Sequence, residues 1–138
     1  MEAVEVYCLN HDRKPEDFVL EQDPYHFHMM NLIDYLVGNT DRHWGNWGFL
    51  VENTTNKLCG LFPLMDFNKS FQAYDSLDGA RCQTIRSRKL TQREAALEAV
   101  HAVGLNQIHE VQTSWFKDTV CADMFFRRLE LLQQAAKT

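Results

Sequence analysis

Apolar residues recur at helical spacing between residues 24 and 37, and this pattern predicts a helix that is mostly buried. Two sets of positions lie on neighbouring faces of the helix and make its apolar surface wide. They are Met29, Leu32 and Leu36, and His26, Met30, Ile33 and Val37. Asp23 is predicted to cap the start of the helix, with Pro24 at its first position. Gly38 is predicted to end it.

Two more helices are predicted in the second half of the chain. Residues 90–104 contain a capping box of Thr91 and Glu94 and stop at Gly104. Residues 114–138 are predicted to form a long terminal helix, because apolar positions recur there in two stripes. The stripes contain Trp115, Ala122, Phe126 and Leu129, and Phe125, Leu129 and Leu132.

Shorter patterns fill the rest of the chain. Residues 2–10 alternate loosely and predict a short strand, while short helices are predicted from Pro15 and over 105–111. "GFLVEN" and "KLCGLFPLM" flank "TTN", which predicts a β-hairpin. The long stretch 67–89 is predicted to be an irregular loop. The fold class is therefore α+β, predominantly α, with a central hairpin, and residues 1–138 form a single domain.

The stretch "GNTDRHWGNWGFL" places polar groups between two apolar elements. Asp41 and Asn46 lie on one loop, and Asp66 follows near the far end of the hairpin. Because a hairpin returns its second strand to where its first began, the three groups can converge. A carboxylate that orients a hydroxyl, together with oxygen ligands for magnesium, is what phosphoryl transfer from ATP requires.

The strings "NTDRHWGNWGFL" and "LFPLMDFNKSF" resemble the catalytic loop and metal-binding motif of HipA-like kinases. These are bacterial serine/threonine kinases, and several are toxins of toxin–antitoxin pairs. The D-R-H-x-x-N pattern also resembles that of phosphatidylinositol 3-kinase-like kinases, but P-x-x-D and N-T-D-R-H favour the HipA-like group. The resemblance covers residues 30–71.

The resemblance implies a role for each matching residue. Asp41 would be the catalytic base, and His43 would brace the loop or touch the phosphate. Asn46 and Asp66 would hold Mg²⁺ against the phosphates of ATP. Arg42 would be a structural arm that pairs with a nearby carboxylate or carbonyl.

A kinase also needs a glycine-rich loop and a strand lysine from its N-terminal lobe. Upstream of Asp41 the only glycine is Gly38 and the only lysine is Lys14. The chain is therefore predicted to be a kinase-like C-terminal lobe with the N-terminal lobe absent, and to have little activity alone. Its expected partners are an N-lobe or an antitoxin-like protein, and its expected substrate is a protein.

Two alternatives remain open at this stage. One is a non-catalytic partner-binding module, and the other is a phosphoinositide or small-molecule kinase-like domain. The cluster of Arg81, Arg86, Arg88 and Lys89 fits either a docking site for an acidic peptide or phosphate, or a solvated loop.

Bulk composition narrows the class further. A net charge of -5 argues against a dedicated nucleic-acid binder. The four cysteines are scattered without a C-x-x-C pair, which is typical of a reduced compartment. The start of the chain does not resemble a signal peptide, and no apolar run reaches the length of a membrane span. The sequence thus predicts a cytoplasmic protein that contacts neither membrane nor nucleic acid.

Overall fold

The computed structural model describes residues 2–40, 42, 47–51, 58–61, 70, 77–85 and 88–137. These residues are mostly helical, as predicted, and include one small antiparallel sheet. In chain order the elements are α1 (Glu2–Asn10), α2 (Pro15–Gln22), α3 (Pro24–Val37), β1 (Phe49–Val51), β2 (Leu58–Leu61), α4 (Gln92–Val103), a 3₁₀ turn (Thr113–Trp115) and α5 (Thr119–Ala136).

Helix α3 begins and ends as the sequence predicts. The Asp23 side chain accepts a hydrogen bond from the His26 N–H at 3.3 Å. At the other end Gly38 has a φ of 64°, a left-handed conformation that costs glycine little. The Asn39 N–H then bonds to the Asp34 carbonyl at 2.9 Å, and the Gly38 N–H bonds to the Tyr35 carbonyl at 3.2 Å. This Schellman arrangement turns the chain sharply into the polar stretch.

Helix α3 lies at the centre of the described residues because its apolar surface faces two clusters of buried side chains. One cluster joins α3 to α2, the hairpin and the residues before α4, and contains Val19, Phe27, Met30, Trp47, Leu61, Cys82, Ile85 and Ala95. The other joins it to α4 and α5, and contains Leu32, Tyr35, Leu36, Ala96, Ala99, Val100, Phe125 and Leu132. Burial of these side chains supplies the main driving force for folding.

The predicted hairpin is present as an antiparallel pair. Phe49 lies opposite Leu61 and Leu50 opposite Gly60, and an irregularity follows Leu50. The hairpin is joined to the start of α3, because the Leu61 N–H donates to Asp23 Oδ2 at 2.8 Å. Asp23 therefore caps α3 and holds β2 with the same carboxylate.

Residues 2–10 form a helix, so the predicted strand is wrong. Val4 and Cys8 are four residues apart, and Cys8 is fully buried while Val6 and Leu9 are exposed. Inward and outward positions thus follow a helical period and do not alternate as in a strand. The loose alternation in the sequence did not reflect burial.

Two other predictions in the second half of the chain are wrong in detail. Residues 105–111 form turns and not a helix, and Leu105, Ile108 and Val111 pack against the second cluster from irregular backbone. Helix α5 starts at Thr119, because Asp118 caps it by accepting from the Cys121 N–H at 2.9 Å. Trp115 lies before the helix and is 65% exposed, so it is not part of the buried stripe.

The capping box of α4 is present as predicted, with Thr91 and Glu94 bonding reciprocally and Gly104 following the last turn. Cys8, Cys82 and Cys121 are buried free thiols. Among the described residues, no helix has both the length and the apolar character needed to cross a membrane.

Substitution of Asp23 is expected to destabilise the fold and to do so in a pH-dependent way. Burial alone would raise the Asp23 pKa, but bonds from the Leu61 N–H and from His26 outweigh it and leave the pKa below its usual value. Asp23→Ala should lower the free energy of unfolding by about 1–3 kcal/mol in urea denaturation at pH 7.

Asp23→Asn is the matched variant, because it keeps an acceptor oxygen but not the charge. A lowered folded-state pKa adds stability above the unfolded pKa of about 4, and that stability is lost as the pH falls through the folded value. The gap between wild type and Asp23→Asn should therefore narrow below about pH 4. An equal gap at pH 7 and pH 3 would contradict this role.

Candidate functional site

The residues predicted to carry the chemistry are Asp41, His43, Asn46 and Asp66, and all four lie outside the described residues. The structure does describe the chain on either side of them. Asn39 and Thr40 precede Asp41, Arg42 follows it, and Trp47 follows Asn46. The candidate site can therefore be built from the contacts of these flanking residues.

Arg42 forms a buried, two-pronged ion pair with Asp34 in the last turns of α3. Its Nε donates to Asp34 Oδ2 and its Nη2 donates to Asp34 Oδ1, both at 2.9 Å. The side chains are only 3% and 5% exposed. This geometry fits the planar guanidinium to the carboxylate and fixes direction as well as distance. The prediction that Arg42 is a structural arm paired with a carboxylate or carbonyl is confirmed.

The Asp34 carboxylate also accepts a hydrogen bond from a residue just after the C-terminal end of α3. Asn39 Nδ2 donates to Asp34 Oδ1 at 3.1 Å. Burial of Asp34 raises its pKa above the usual value, and the bonds from Arg42 and Asn39 offset part of that rise. The carboxylate thus depends on these partners to stay ionised inside the protein.

The segment 77–85 lies against the same end of α3 and against the start of the polar loop, which runs from residue 39 to residue 47. Gln83 Nε2 donates to the Thr40 carbonyl at 3.0 Å. Thr84, which is buried, donates to Asn31 Oδ1 at 2.6 Å. The Tyr35 hydroxyl donates to the Leu77 carbonyl. Side chains of α3 therefore bond to this segment, and Gln83 reaches the described start of the loop at Thr40.

Helix α5 holds the last turn of α3 from the opposite side. The Arg128 guanidinium donates to the Tyr35 carbonyl and lies 4.8 Å from the centroid of the Tyr35 ring. Burial lowers the pKa of Arg128 from its usual value. A Cβ atom on Gly38 would lie 3.0 Å from Met124 Cε, so α5 also approaches the chain closely at the helix end. The turn into the loop is enclosed by packed neighbours.

The far end of the loop is fixed by apolar packing. Trp47 is 3% exposed, and its ring centroid lies 5.9 Å from that of Phe27 on α3. Two residues later Phe49 begins β1 opposite Leu61, which ends β2. The chain therefore enters residues 62–69, which include Asp66, beside the place where it leaves residues 43–46.

Three histidines and the described members of the basic cluster are exposed or serve other contacts. His26 pairs with Asp23 on the surface, and His101 and His109 are exposed. Within the part of the chain that is described, no three His, Cys, Asp or Glu side chains group as metal ligands. In the basic cluster, Arg81 and Lys89 are exposed and Arg88 pairs with Glu98 at 3.0 Å, while Arg86 lies outside the described residues.

Sequence reasoning did not identify the buried polar residues that support the loop. They are Asn31, Asp34, Asn39, Thr84 and Gln92. One available signal was that Asn31 and Asp34 are three residues apart in an otherwise apolar stretch, which places both polar groups on one side of α3. Their partners, however, come from residues distant in the sequence.

No family model matches the chain, and none of the curated proteins or solved structures matches it. The function proposed below therefore rests on the motif and on the contacts just described.

Removal of the arginine from the buried pair is expected to be strongly destabilising. Arg42→Met leaves the Asp34 carboxylate buried without its main partner, and it should lower the free energy of unfolding at pH 7 by about 3–5 kcal/mol. Because the Asp34 pKa would rise further, the loss should shrink as the pH is lowered and the carboxylate becomes protonated. Urea denaturation at several pH values measures both effects.

Arg88→Met is the control, since it breaks an exposed pair with Glu98 and should cost less than about 1 kcal/mol. The double variant Asp34→Asn, Arg42→Met should recover part of the loss by removing the stranded charge. If Arg42→Met were no more destabilising than Arg88→Met, the buried pair would not support the loop.

Proposed function

We propose that this chain acts as the C-terminal lobe of a HipA-like protein serine/threonine kinase that uses ATP and Mg²⁺. The observation that carries the proposal is the buried pair between Arg42 and Asp34. This pair anchors the residue next to Asp41, within the D-R-H-x-x-N pattern that resembles a kinase catalytic loop.

A kinase must hold its catalytic groups within fractions of an ångström, and a polar loop does this only when it rests on rigid elements. The described ends of this loop meet that need. The chain enters it through the left-handed turn at Gly38 and leaves it through buried Trp47. Arg42 adds a directional anchor between these ends. Such support is more than a surface loop that merely joins two elements requires.

In the proposed reaction, Asp41 orients the hydroxyl of a serine or threonine and accepts its proton. His43 braces the loop or contacts the transferred phosphate. Asn46 and Asp66 provide an amide and a carboxylate oxygen, which are ligands that Mg²⁺ accepts. Magnesium bound there would bridge and neutralise the phosphates of ATP. The register of the hairpin supports this arrangement, because Leu61, the last residue of β2, lies opposite Phe49, the first residue of β1.

The proposal includes a partner. Two oxygen ligands hold Mg²⁺ weakly without substrate phosphates, and the glycine-rich loop and lysine that bind those phosphates belong to an N-terminal lobe. We therefore expect weak nucleotide binding by this chain alone and stronger binding when an N-lobe is supplied. A protein substrate is favoured over a lipid by the P-x-x-D and N-T-D-R-H spelling.

Binding of Mg²⁺–ATP should depend on Asp66 and its transfer chemistry on Asp41. A ligand that binds the native state raises the melting temperature, so millimolar Mg²⁺–ATP should stabilise wild type more than Asp66→Ala. With an N-lobe supplied, Asp41→Asn should still bind Mg²⁺–ATP but transfer labelled phosphate to protein about 10²–10⁴-fold more slowly.

Asp123→Asn is the matched control, because Asp123 is an exposed carboxylate on α5. It should behave as wild type in both assays. Equal thermal shifts for wild type and Asp66→Ala, even with the N-lobe, would rule out a metal role for Asp66. Transfer to a lipid and not to protein would replace the protein-kinase assignment with the lipid-kinase alternative.

A further inference from the structure

Gln92 connects two segments that are far apart in the sequence. Its Nε2 donates to the Asn39 carbonyl at 2.6 Å, and its Oε1 accepts from the Ala80 N–H at 3.0 Å. The side chain is buried, so these bonds form away from bulk water. One amide group thus links the start of the polar loop to the segment 77–85.

The local backbone is arranged to receive this side chain. Gly79 has a φ of 72°, and a Cβ atom there would lie 2.7 Å from Gln92 Oε1. The Gln92 N–H also donates to the Ala80 carbonyl at 2.8 Å, and the Arg93 N–H donates to the Asp78 carbonyl at 2.9 Å. The first turn of α4 therefore holds residues 78–80 through main-chain bonds, and Gln92 extends the contact to Asn39.

A side-chain amide is the group that suits this position. The Asn39 carbonyl needs a donor and the Ala80 N–H needs an acceptor, and an amide offers both at once. An ionised carboxylate could accept from Ala80 but would repel the Asn39 carbonyl. An apolar side chain would leave both main-chain groups without this partner in a buried place.

We propose that Gln92 is a positioning residue that couples the segment 77–85 to the loop carrying Asp41. This inference rests on the proposed function. It adds that the start of the catalytic loop keeps its position only while the segment 77–85 stays on α4. Arg81 and Gln83 are exposed on that segment, and Gln83 also bonds to the Thr40 carbonyl. A displacement of the segment would therefore be transmitted to Asn39 and Thr40 through the side chains of Gln92 and Gln83.

The test compares Gln92→Met and Gln92→Glu with wild type by hydrogen exchange of single amides, followed by NMR. In Gln92→Met, exchange should become about tenfold faster at Ala80, whose N–H loses its acceptor. Exchange at Asn39 should become faster too, because its N–H bonds to the Asp34 carbonyl in a turn that loosens when the Asn39 carbonyl loses Gln92. Amides of α5 should keep their wild-type rates, which separates local loosening from global unfolding. Faster exchange at Ala80 with an unchanged rate at Asn39 would overturn the coupling.

Gln92→Glu provides a rescue that a purely structural role would not show. In its protonated form the new side chain can donate to the Asn39 carbonyl and accept from the Ala80 N–H, so protection should equal that of wild type at the low-pH end of the titration, where the carboxyl is neutral. As the pH rises and the carboxyl ionises, Asn39 should lose protection while Ala80 keeps it. Asp34, Arg42, Asp78, Arg81 and Arg93 lie nearby, so wild type is measured at each pH to remove their contribution. If the protection of the Asn39 amide in this variant, relative to wild type, did not change with pH, the proposal would also be overturned.

A second arm separates this inference from the proposed function. Mg²⁺–ATP is added to wild type and Gln92→Met, and the amide shifts of residues 39–42 and 78–81 are followed. Coupling predicts that both segments shift in wild type and that the shift at 78–81 is smaller in Gln92→Met, where only the bond from Gln83 to Thr40 still links the two. If Mg²⁺–ATP shifts neither segment of wild type even when an N-lobe is supplied, while the exchange results hold, the kinase function fails and the coupling stands.

Discussion

The buried carboxylate of Asp34 is the constraint on which the rest of the site depends. A charge inside a protein is tolerated only with partners that replace water, and Asp34 has two, Arg42 and Asn39. Both come from the chain just after α3, so satisfying this one carboxylate requires the chain to turn back on the helix end. Gly38 permits that turn by adopting a left-handed conformation. The helix end, the turn and the start of the loop are therefore one structural unit.

The two ends of the loop are held by different forces, and the difference has consequences. At Trp47 the anchor is apolar burial, which is strong but depends little on direction. At Arg42 the anchor is a bidentate ion pair, which is weak as a net source of stability but specifies orientation. Apolar packing thus holds Trp47 at one end, while the ion pair fixes the direction of Arg42 near the other. The proposed kinase site, in which Asp41 would be aimed at a substrate hydroxyl, would need both properties.

Local signals in the sequence predicted the elements whose ends are determined locally. The caps at Asp23 and Thr91 and the turn at Gly38 depend on neighbouring residues, and each was predicted correctly. Residues 2–10 were mispredicted because most of them are apolar and show no clear period, so that the packing of Cys8 decides which face is buried. That Arg42 would pair with a carboxylate or carbonyl was predicted from the motif, but the identity of Asp34 as its partner was not. Gln92 and Thr84 escaped detection because each bonds to a group 53 residues away, and no periodicity in the sequence records such a pairing.

These long-range bonds also explain why polar residues occupy the interior beside an apolar core. Replacing both side chains of such a pair with apolar residues of similar volume would cost little stability, because a satisfied buried pair contributes little net energy, whereas replacing one partner is costly. Their contribution is specificity, since a donor and an acceptor must each find its partner for the buried state to form. The Asp34 carboxylate on α3 needs Arg42 as its partner, and the Asn31 amide oxygen needs the Thr84 hydroxyl. The Gln92 amide on α4 needs both the Asn39 carbonyl at the start of the loop and the Ala80 N–H in the segment 77–85. Movement of any one of these segments leaves a buried group of another without its partner, so the segments beneath the loop are expected to move together or not at all.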